Sequence, residues 1–320
     1  MFQSAIMKGI NTYHVLKEAD FMKVAISGGT GFVGGKLTDL LKKEGHEVII
    51  LTRGEEKVED NVRYIRWMNG AKPEQSLEGI DAFINLAGVS LNEGRWTKER
   101  KKALYESRMS TTGEVIRIVE NLQNRPSVYV NASAVGIYPV STTVIYDENS
   151  PQKAADFLGT TVADWEEKAA RAEKLGIRTC FTRFGVILGK EEGALPLMVL
   201  PYQLFIGGTV GSGEQWVSWV HVDDVVRAIL HVIETPTLHG PVNVTSPNAK
   251  RMKYFGKTIG RAFNRPHWLP IPSIAMKAVL GEKSILVLKG QYVIPKKLLN
   301  TNFKFQFASL EDAICNLYKS

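Results

Sequence analysis

The chain has 320 residues, which is enough for a large core and a second lobe. With 44% hydrophobic and 23% charged residues it has the composition of a globular protein, and no apolar run approaches the roughly 20 residues that a spanning helix needs. The net charge of +7 is spread along the chain, so we expect neither a nucleic-acid nor a membrane partner. The two cysteines, Cys180 and Cys315, have no metal-ligand spacing, which indicates no metal site and a reducing, cytoplasmic compartment.

Apolar segments of strand length alternate with segments of helical periodicity along most of the chain. Residues 1–21 precede this pattern, and we predict that they form an N-terminal extension. The predicted strands cover residues 22–27, 48–51, 62–67, 82–86, 128–131, 179–184 and 242–244. The predicted helices cover residues 31–44, 98–122, 162–175 and 222–234. This alternation predicts an α/β fold with a doubly wound parallel sheet of the Rossmann type.

A glycine-rich loop follows the first predicted strand directly. Gly29, Gly31 and Gly34 have the spacing G-x-G-x-x-G, and Gly28, Gly31 and Gly34 have the spacing G-x-x-G-x-x-G. In such a loop one glycine permits a tight turn, another lets the backbone approach a pyrophosphate, and the last lets the helix pack on the strand. The predicted dinucleotide contacts here are Gly28, Thr30, Gly31, Phe32, Val33 and Gly34. The alternative is a glycine-rich turn that binds no ligand.

The end of the second predicted strand indicates which dinucleotide binds. NAD sites carry an acid at this position for the ribose hydroxyls, whereas NADP sites carry a cation for the 2′-phosphate. Here Thr52 and Arg53 end the strand and no acid stands at its tip. Because a guanidinium can form paired hydrogen bonds to a phosphate, we predict NADP(H). The alternative is that Arg53 is a surface residue facing water.

Beyond the glycine loop, several short motifs of the chain resemble the extended short-chain dehydrogenase/reductase family. They are Asn85-Leu86-Ala87-Gly88, Asn131-Ala132-Ser133-Ala134 and His221-Val222-Asp223-Asp224-Val225. A narrower resemblance is to the epimerase-like branch with its own small C-terminal domain of unknown function. It depends on Arg95-Trp96-Thr97, Ser107-Arg108, Ser133-Ala134-Val135-Gly136, Ser218-Trp219-Val220-His221 and Pro295-Lys296-Lys297-Leu298-Leu299. The resemblance runs from about residue 22 to residue 318.

The resemblance implies further contacts to the cofactor and a division of the chain. The implied cofactor contacts are Leu86, Ala87, Gly88, Ala132 and Phe184. We predict an NADP(H)-binding Rossmann domain over residues 22–245, with a substrate-lobe insertion at about 190–217, and a smaller interleaved α+β lobe over 246–320. Relatives of this type often dimerise through the helices predicted here at 98–122 and 162–175, which implies a homodimer.

The acid–base residues that this resemblance implies are incomplete. Hydride transfer in the superfamily uses a Tyr and a Lys spaced Y-x-x-x-K together with a Ser, and the Ser matches Ser133. The stretch where the pair should lie, residues 156–163, contains neither Tyr nor Lys. Tyr138, five residues after Ser133, is the predicted replacement proton donor, unless it is a packing residue. His221 and Glu148 are further candidates, with capping and loop roles as their alternatives.

The substrate contacts are predicted less directly. Val217 stands where relatives that bind nucleotide sugars carry an Arg, which argues against a sugar-nucleotide ligand. Trp216 and Trp219 on either side of it indicate an apolar or planar ligand. The candidate substrate contacts are Arg95, Trp96, Trp219 and His221. Arg108 could hold an anion or could pair with an acid across its helix.

Two functions remain open from the sequence. The first is an NADP(H)-dependent oxidoreductase or epimerase-like enzyme that acts on a small carbonyl or sugar-like molecule without the usual Tyr-x-x-x-Lys pair. The second is a catalytically inactive NADP(H)-binding regulatory protein that acts through a protein partner. Substrate-dependent turnover would distinguish the two.

Overall fold

The structure is a computed structural model that describes residues 21–319, so the predicted extension lies outside the described residues except for Phe21. The strands are β1 (Lys23–Ser27), β2 (Glu47–Thr52), β3 (Lys57–Glu59), β4 (Val62–Arg66), β5 (Ala82–Asn85), β6 (Val128–Ala134), β7 (Ile145–Tyr146), β8 (Arg178–Phe184), β9 (Val186–Leu188), β10 (Trp216–Val217), β11 (Trp219–His221), β12 (Gly240–Val244), β13 (Lys250–Arg251) and β14 (Tyr292–Val293). The α-helices are α1 (Phe32–Lys43), α2 (Glu74–Leu77), α3 (Lys98–Asn121), α4 (Phe157–Ala169), α5 (Leu195–Gln203), α6 (Val222–Glu234), α7 (Met252–Phe263), α8 (Ser273–Leu280), α9 (Ile285–Leu288), α10 (Lys296–Asn300) and α11 (Leu310–Lys319).

Eight strands form the main sheet in the order β12-β8-β6-β5-β1-β2-β4-β3. All neighbours in this sheet pair in parallel except β3, which pairs antiparallel with β4 at one edge. The predicted doubly wound Rossmann-type sheet is therefore confirmed, and β3 is an addition that its short, exposed sequence did not reveal. The strand order reverses at β1, whose neighbours are β2 and β5. Ligands of such sheets bind outside the carboxyl ends of the strands at this switch point.

Helices cover both faces of the sheet, which explains why its inner strands are apolar on both sides. One face buries Leu37 and Leu41 of α1 together with Ile229 of α6. The other face buries Val115 and Val119 of α3. None of the helices within residues 21–319 is long and apolar enough to cross a membrane.

A separate core lies beside the sheet and brings together segments that are distant in sequence. It buries Val199 of α5, Trp219 of β11, Phe255 and Ile259 of α7, and Ile314 of α11. The glycine- and proline-containing segment near residue 200 and the C-terminal segments thus share one core.

The helix predicted over 162–175 begins earlier than expected. Asp156 caps α4, because its carboxylate accepts a hydrogen bond of 2.9 Å from the Gly159 amide. The α-helix then runs from Phe157 and is followed by a 3-10 helix over Ala170–Leu175. The stretch that lacks Tyr and Lys is therefore the first half of α4 and not a loop before it.

Candidate functional site

The glycine loop lies at the switch point, directly against the loop that follows β5. Gly28 has a φ of +77°, and a Cβ atom there would lie 2.8 Å from the Ala87 nitrogen. A Cβ on Gly34 would lie 2.1 Å from the Gly28 carbonyl oxygen. Both positions require glycine, since a side chain would push the turn, the helix and the β5 loop apart.

The first turn of α1 is open to an anion. Its N-cap is Gly31, no side chain caps the helix, and the first turn carries no acid. The helix dipole and the first backbone amides therefore face an anion-binding position. The Phe32 ring packs against the turn at Gly189, since a Cβ there would lie 2.4 Å from it. The contribution that Phe32 can make to a bound phosphate is its backbone amide.

A pocket of about 520 Å³ opens beside this loop at the carboxyl ends of β2 and β4. Arg53, Arg66 and residues 67–71 line it. The two strands pair in parallel with Thr52 opposite Arg66, which brings both arginines to one edge. Among residues 21–319 neither guanidinium forms a salt bridge, and both side chains are exposed. Two unpaired cations in one pocket favour a doubly charged phosphate.

Arg66 is a candidate that the sequence analysis missed. Its Nε donates to the Gly54 carbonyl at 3.3 Å, and its backbone amide donates to Glu56 Oε1 at 3.0 Å. Both bonds fix Arg66 to the turn that carries Arg53. The sequence does place Arg66 near the end of a predicted strand. It does not show that this strand pairs with β2, which is what brings Arg66 next to Arg53.

A buried polar layer supports the strand ends beneath the two loops. Ser27 Oγ donates to Asn85 Oδ1 at 2.7 Å, and Asn85 Nδ2 donates to Asn131 Oδ1 at 2.8 Å. Tyr129 donates to the same Asn131 oxygen at 2.6 Å. Asn85 Oδ1 also accepts from the Ala87 amide at 3.3 Å, so this layer holds the β5 loop in position. The other predicted cofactor contacts, Leu86, Gly88, Ala132 and Phe184, lie at the carboxyl ends of β5, β6 and β8.

Arg108 lies against the β5 loop. A Cβ on Gly88 would lie 3.6 Å from its guanidinium carbon, and Nη1 donates to the carbonyls of Val89 and Leu104. Its guanidinium lies 5.1 Å from the Trp165 ring centroid. Burial lowers the pKa of Arg108 to about 10. Within the described residues it forms no salt bridge, so the alternative of an ion pair across the helix is wrong.

Ser133 belongs to a buried ion-pair network. Its Oγ donates to Glu166 Oε1 at 2.6 Å, and Arg183 binds both oxygens of that carboxylate at 2.7 Å. All three side chains are buried. Burial alone would lower the pKa of Arg183, but the Glu166 carboxylate outweighs it and raises that pKa. The predicted role of Ser133 in holding a substrate carbonyl needs correction, because its proton is directed to Glu166.

The prediction that Tyr138 donates a proton also needs correction. Its hydroxyl donates to Asn243 Oδ1 at 2.9 Å and accepts from Arg183 Nη1 at 2.8 Å. The ring stacks on Tyr146 at 5.3 Å, and the side chain is buried. Burial raises the pKa of Tyr138. The packing alternative therefore fits this residue, because both hydrogen-bonding directions of the hydroxyl are used inside the protein.

Glu148 holds the sheet edge together. Its Oε1 accepts hydrogen bonds from the backbone amides of Asn243, at 3.0 Å, and Lys297, at 3.2 Å. Burial raises the pKa of Glu148. This carboxyl group therefore connects β12 to the start of α10.

Trp219 and His221, two of the predicted substrate contacts, are both buried and have partners inside the protein. The Trp219 indole is fully buried and donates to the Asn248 carbonyl at 3.0 Å. His221 Nδ1 accepts from the Asp223 amide at 3.1 Å, which caps α6, and the ring stacks on Phe307 at 3.9 Å. Burial lowers the pKa of His221. Both side chains pack inside the protein, and their contact with a substrate stays a prediction.

Arg95 and Trp96 follow the β5 loop but have different surroundings. Trp96 is buried and its indole nitrogen donates to the Leu91 carbonyl at 3.2 Å, so it packs rather than binds. Arg95 is exposed, and its Nη2 donates to the carbonyls of Ala278, at 3.3 Å, and Val279, at 3.1 Å. Arg95 thus connects the loop at the sheet edge to the end of α8, and an anion would compete with those carbonyls.

The sheet order, the uncapped helix after a glycine turn and the cationic pocket define a dinucleotide-binding α/β protein of the Rossmann class. The chain belongs to the NAD dependent epimerase/dehydratase family, whose model matches residues 24–244. A domain of unknown function, DUF1731, matches residues 271–317. Both findings confirm the resemblance to an epimerase-like branch with its own C-terminal domain.

Similar proteins carry the same description. The chain is 46% identical over 298 residues to epimerase family protein YfhF of Bacillus subtilis (strain 168), which covers 92% of this chain and 98% of that protein. The structure of human epimerase family protein SDR39U1 (isoform 2) with NADPH is similar with a TM-score of 0.83 and 32% identity, over 93% of this chain and 100% of that chain. A nucleoside-diphosphate sugar epimerase from Corynebacterium glutamicum gives a TM-score of 0.73 and 30% identity, over 93% of this chain and 58% of that chain.

Proposed function

We propose that this chain is an NADP(H)-dependent protein of the oxidoreductase or epimerase type that acts on a small carbonyl or sugar-like molecule. The observation that carries the proposal is the pair of unpaired arginines, Arg53 and Arg66, in one pocket beside the glycine loop. The similar human protein was solved with NADPH, which supports the same cofactor here.

Each part of the dinucleotide has a matching position in the structure. The uncapped start of α1 suits the pyrophosphate, because its amides and dipole favour negative charge. Arg53 and Arg66 suit the 2′-phosphate that distinguishes NADP from NAD. Arg108, beside Gly88, offers a further cation to the same ligand. The nicotinamide supplies or accepts a hydride when it is bound.

The chain itself contributes binding and orientation more than proton transfer. Ser133 and Tyr138 donate their hydroxyl protons to Glu166 and Asn243, so neither is free for a substrate oxygen. We therefore infer that water supplies the proton that accompanies hydride transfer, at a lower rate than a positioned acid would allow.

Because the Ser133 and Tyr138 hydroxyls are both bonded inside the protein, a second candidate function is an NADP(H)-binding regulatory protein without turnover. Such a protein would need the cofactor pocket and would need no acid–base pair. It would change its conformation or its affinity for a protein partner when NADPH binds.

Fluorescence titration of the protein with NADPH and NADH tests the cofactor. Trp67, in the wall of the pocket, places an indole next to Arg66. We expect NADPH to bind more tightly than NADH, and Arg53→Ala or Arg66→Ala to weaken NADPH binding by about tenfold to a hundredfold, as for lost charged hydrogen bonds. The matched control is Arg63→Ala, on the same strand but paired with Glu47, which should leave NADPH binding unchanged. Equal affinity for NADPH and NADH in the unmodified protein would refute the NADP assignment.

Turnover separates the two candidate functions. NADPH deuterated at the nicotinamide C4 position would be incubated with the protein and a panel of small aldehydes, ketones and free sugars. Deuterium in a product supports the enzyme. An epimerase returns the hydride to its own substrate, so the panel is also incubated with the protein and NADP+ to detect interconversion of epimeric sugars. Tight NADPH binding with neither deuterium transfer nor epimer interconversion favours the regulatory protein.

A further inference from the structure

A group of large apolar side chains projects from the part of the molecule that is built on the core of α5, α7 and α11. We call it the apolar ridge, and its members are Leu200, Leu204, Phe205, Ile206, Trp268 and Leu269. Their side chains are between 44% and 67% exposed. A contiguous apolar surface of this kind on a folded protein marks an interaction site.

The ridge is built by two adjacent segments. Leu200 and Leu204 are one helical turn apart at the end of α5, whose inner face is occupied by the buried Val199. Phe205 follows in the left-handed region, with a φ of +63°, a conformation that bulky side chains rarely adopt. The Trp268 indole donates to the Phe205 carbonyl at 3.0 Å. These contacts hold the apolar side chains outward, since the core beneath them is already filled.

A basic pocket adjoins the ridge. It has a volume of about 480 Å³, and the residues that line it are Tyr254, Lys257, Gly260, Arg261, Asn264, Arg265 and His267. The Arg265 guanidinium lies 4.2 Å from the Phe205 ring, so pocket and ridge are continuous. Arg261 pairs with Glu311 at 3.1 Å, but Lys257 and Arg265 form no salt bridge within residues 21–319.

We propose that the ridge and the basic pocket bind the surface of an anionic phospholipid membrane. Exposed Trp and Phe beside Lys and Arg suit the boundary between lipid headgroups and acyl chains, where no complementary shape is needed. Lys257 and Arg265 then face the headgroup phosphates. A second copy of the chain fits this face less well, because a two-fold contact would bring the same cations together.

This surface has no role in the proposed cofactor site. The hydrogen bonds of Trp268 and Leu269 run to Phe205 and Gly207, within the same lobe. The proposal departs from the expectation of no membrane partner, which depended on the even spread of positive charge along the sequence and on the lack of a spanning segment. The folded chain instead brings Lys257 and Arg265 to one pocket. A peripheral surface needs no such segment.

Sedimentation of the full chain with extruded vesicles tests the proposal. We expect binding to vesicles of phosphatidylcholine mixed with phosphatidylglycerol, little binding to phosphatidylcholine alone, and weaker binding as salt is added. Trp268→Ser and Phe205→Gly should each weaken binding about tenfold, and Lys257→Gln about fivefold. Phe205→Gly is informative because glycine suits the left-handed backbone, so a loss of binding would not reflect misfolding.

Matched controls lie elsewhere on the surface. Val58→Ser removes a 74% exposed apolar side chain from β3, and Lys174→Gln removes an exposed lysine. Both should leave vesicle binding unchanged, and no variant should alter NADPH affinity. Absence of binding to the mixed vesicles, or equal losses in the control variants, would overturn the proposal. So would a dimer in solution that Trp268→Ser dissociates, because that result would assign the ridge to a second copy.

Discussion

Two adjacent glycines of α1 should respond in opposite ways to the same substitution. Gly34 and Gly35 both lie in the first turns of the helix that follows the glycine loop. A Cβ at Gly34 would lie 2.1 Å from the Gly28 carbonyl oxygen, whereas a Cβ at Gly35 would meet nothing within 4 Å. Gly34→Ala therefore tests the geometry of the cofactor loop, and Gly35→Ala is its matched control.

The expected magnitudes follow from these contacts. At Gly34 the new methyl group must move the Gly28 backbone by more than about 1 Å to reach an ordinary contact, and overpacking of this kind costs about 1–3 kcal/mol or more. The same movement displaces the turn from the start of α1, so we expect NADPH affinity to fall at least about tenfold. At Gly35 alanine should increase the free energy of unfolding by about 0.5–1 kcal/mol, because it restricts the unfolded chain without a clash.

Urea unfolding and NADPH titration of the two variants provide the measurements. The stability of Gly35→Ala should rise or stay equal while its NADPH affinity stays unchanged. If Gly34→Ala kept both the stability and the NADPH affinity of the unmodified protein, the loop could not have the close packing described here.

Three further outcomes are expected. Glu166→Gln leaves the buried Arg183 without a counter-charge and should lower the free energy of unfolding in urea by about 3–5 kcal/mol. Glu106→Gln, which breaks an exposed ion pair with Lys102, is the control and should lower it by less than about 1 kcal/mol. Equal losses in the two variants would contradict a buried ion pair. Tyr138→Phe removes two buried hydrogen bonds and should lower the free energy of unfolding by about 1–3 kcal/mol, with NADPH binding and any turnover unchanged. A loss of turnover without a loss of NADPH binding would instead show that Tyr138 takes part in catalysis. Burial lowers the pKa of His46 in the folded protein, so as the pH falls the unfolded chain is protonated at this residue before the folded chain is. The free energy of unfolding should therefore decrease as the pH drops below about 6.5. His46→Gln should make this decrease smaller.

The local part of the candidate site could be predicted because its residues are neighbours along the chain. Gly28, Gly31 and Gly34 belong to one strand–turn–helix unit, and their spacing alone specifies a tight turn and an open helix start. Arg53 follows its strand in the same way. Alternation of apolar segments likewise determined a parallel sheet covered on both faces.

The rest of the site depended on contacts between distant segments. Arg66 reaches Arg53 only because β2 and β4 pair in a particular register, which local periodicity does not specify. Tyr138 turns inward to meet Asn243, which lies 105 residues further along the chain. The sequence determined where a dinucleotide loop begins. The tertiary structure decided which polar side chains remain free around it, because a buried hydroxyl or charge must be paired by whatever group the packing brings near.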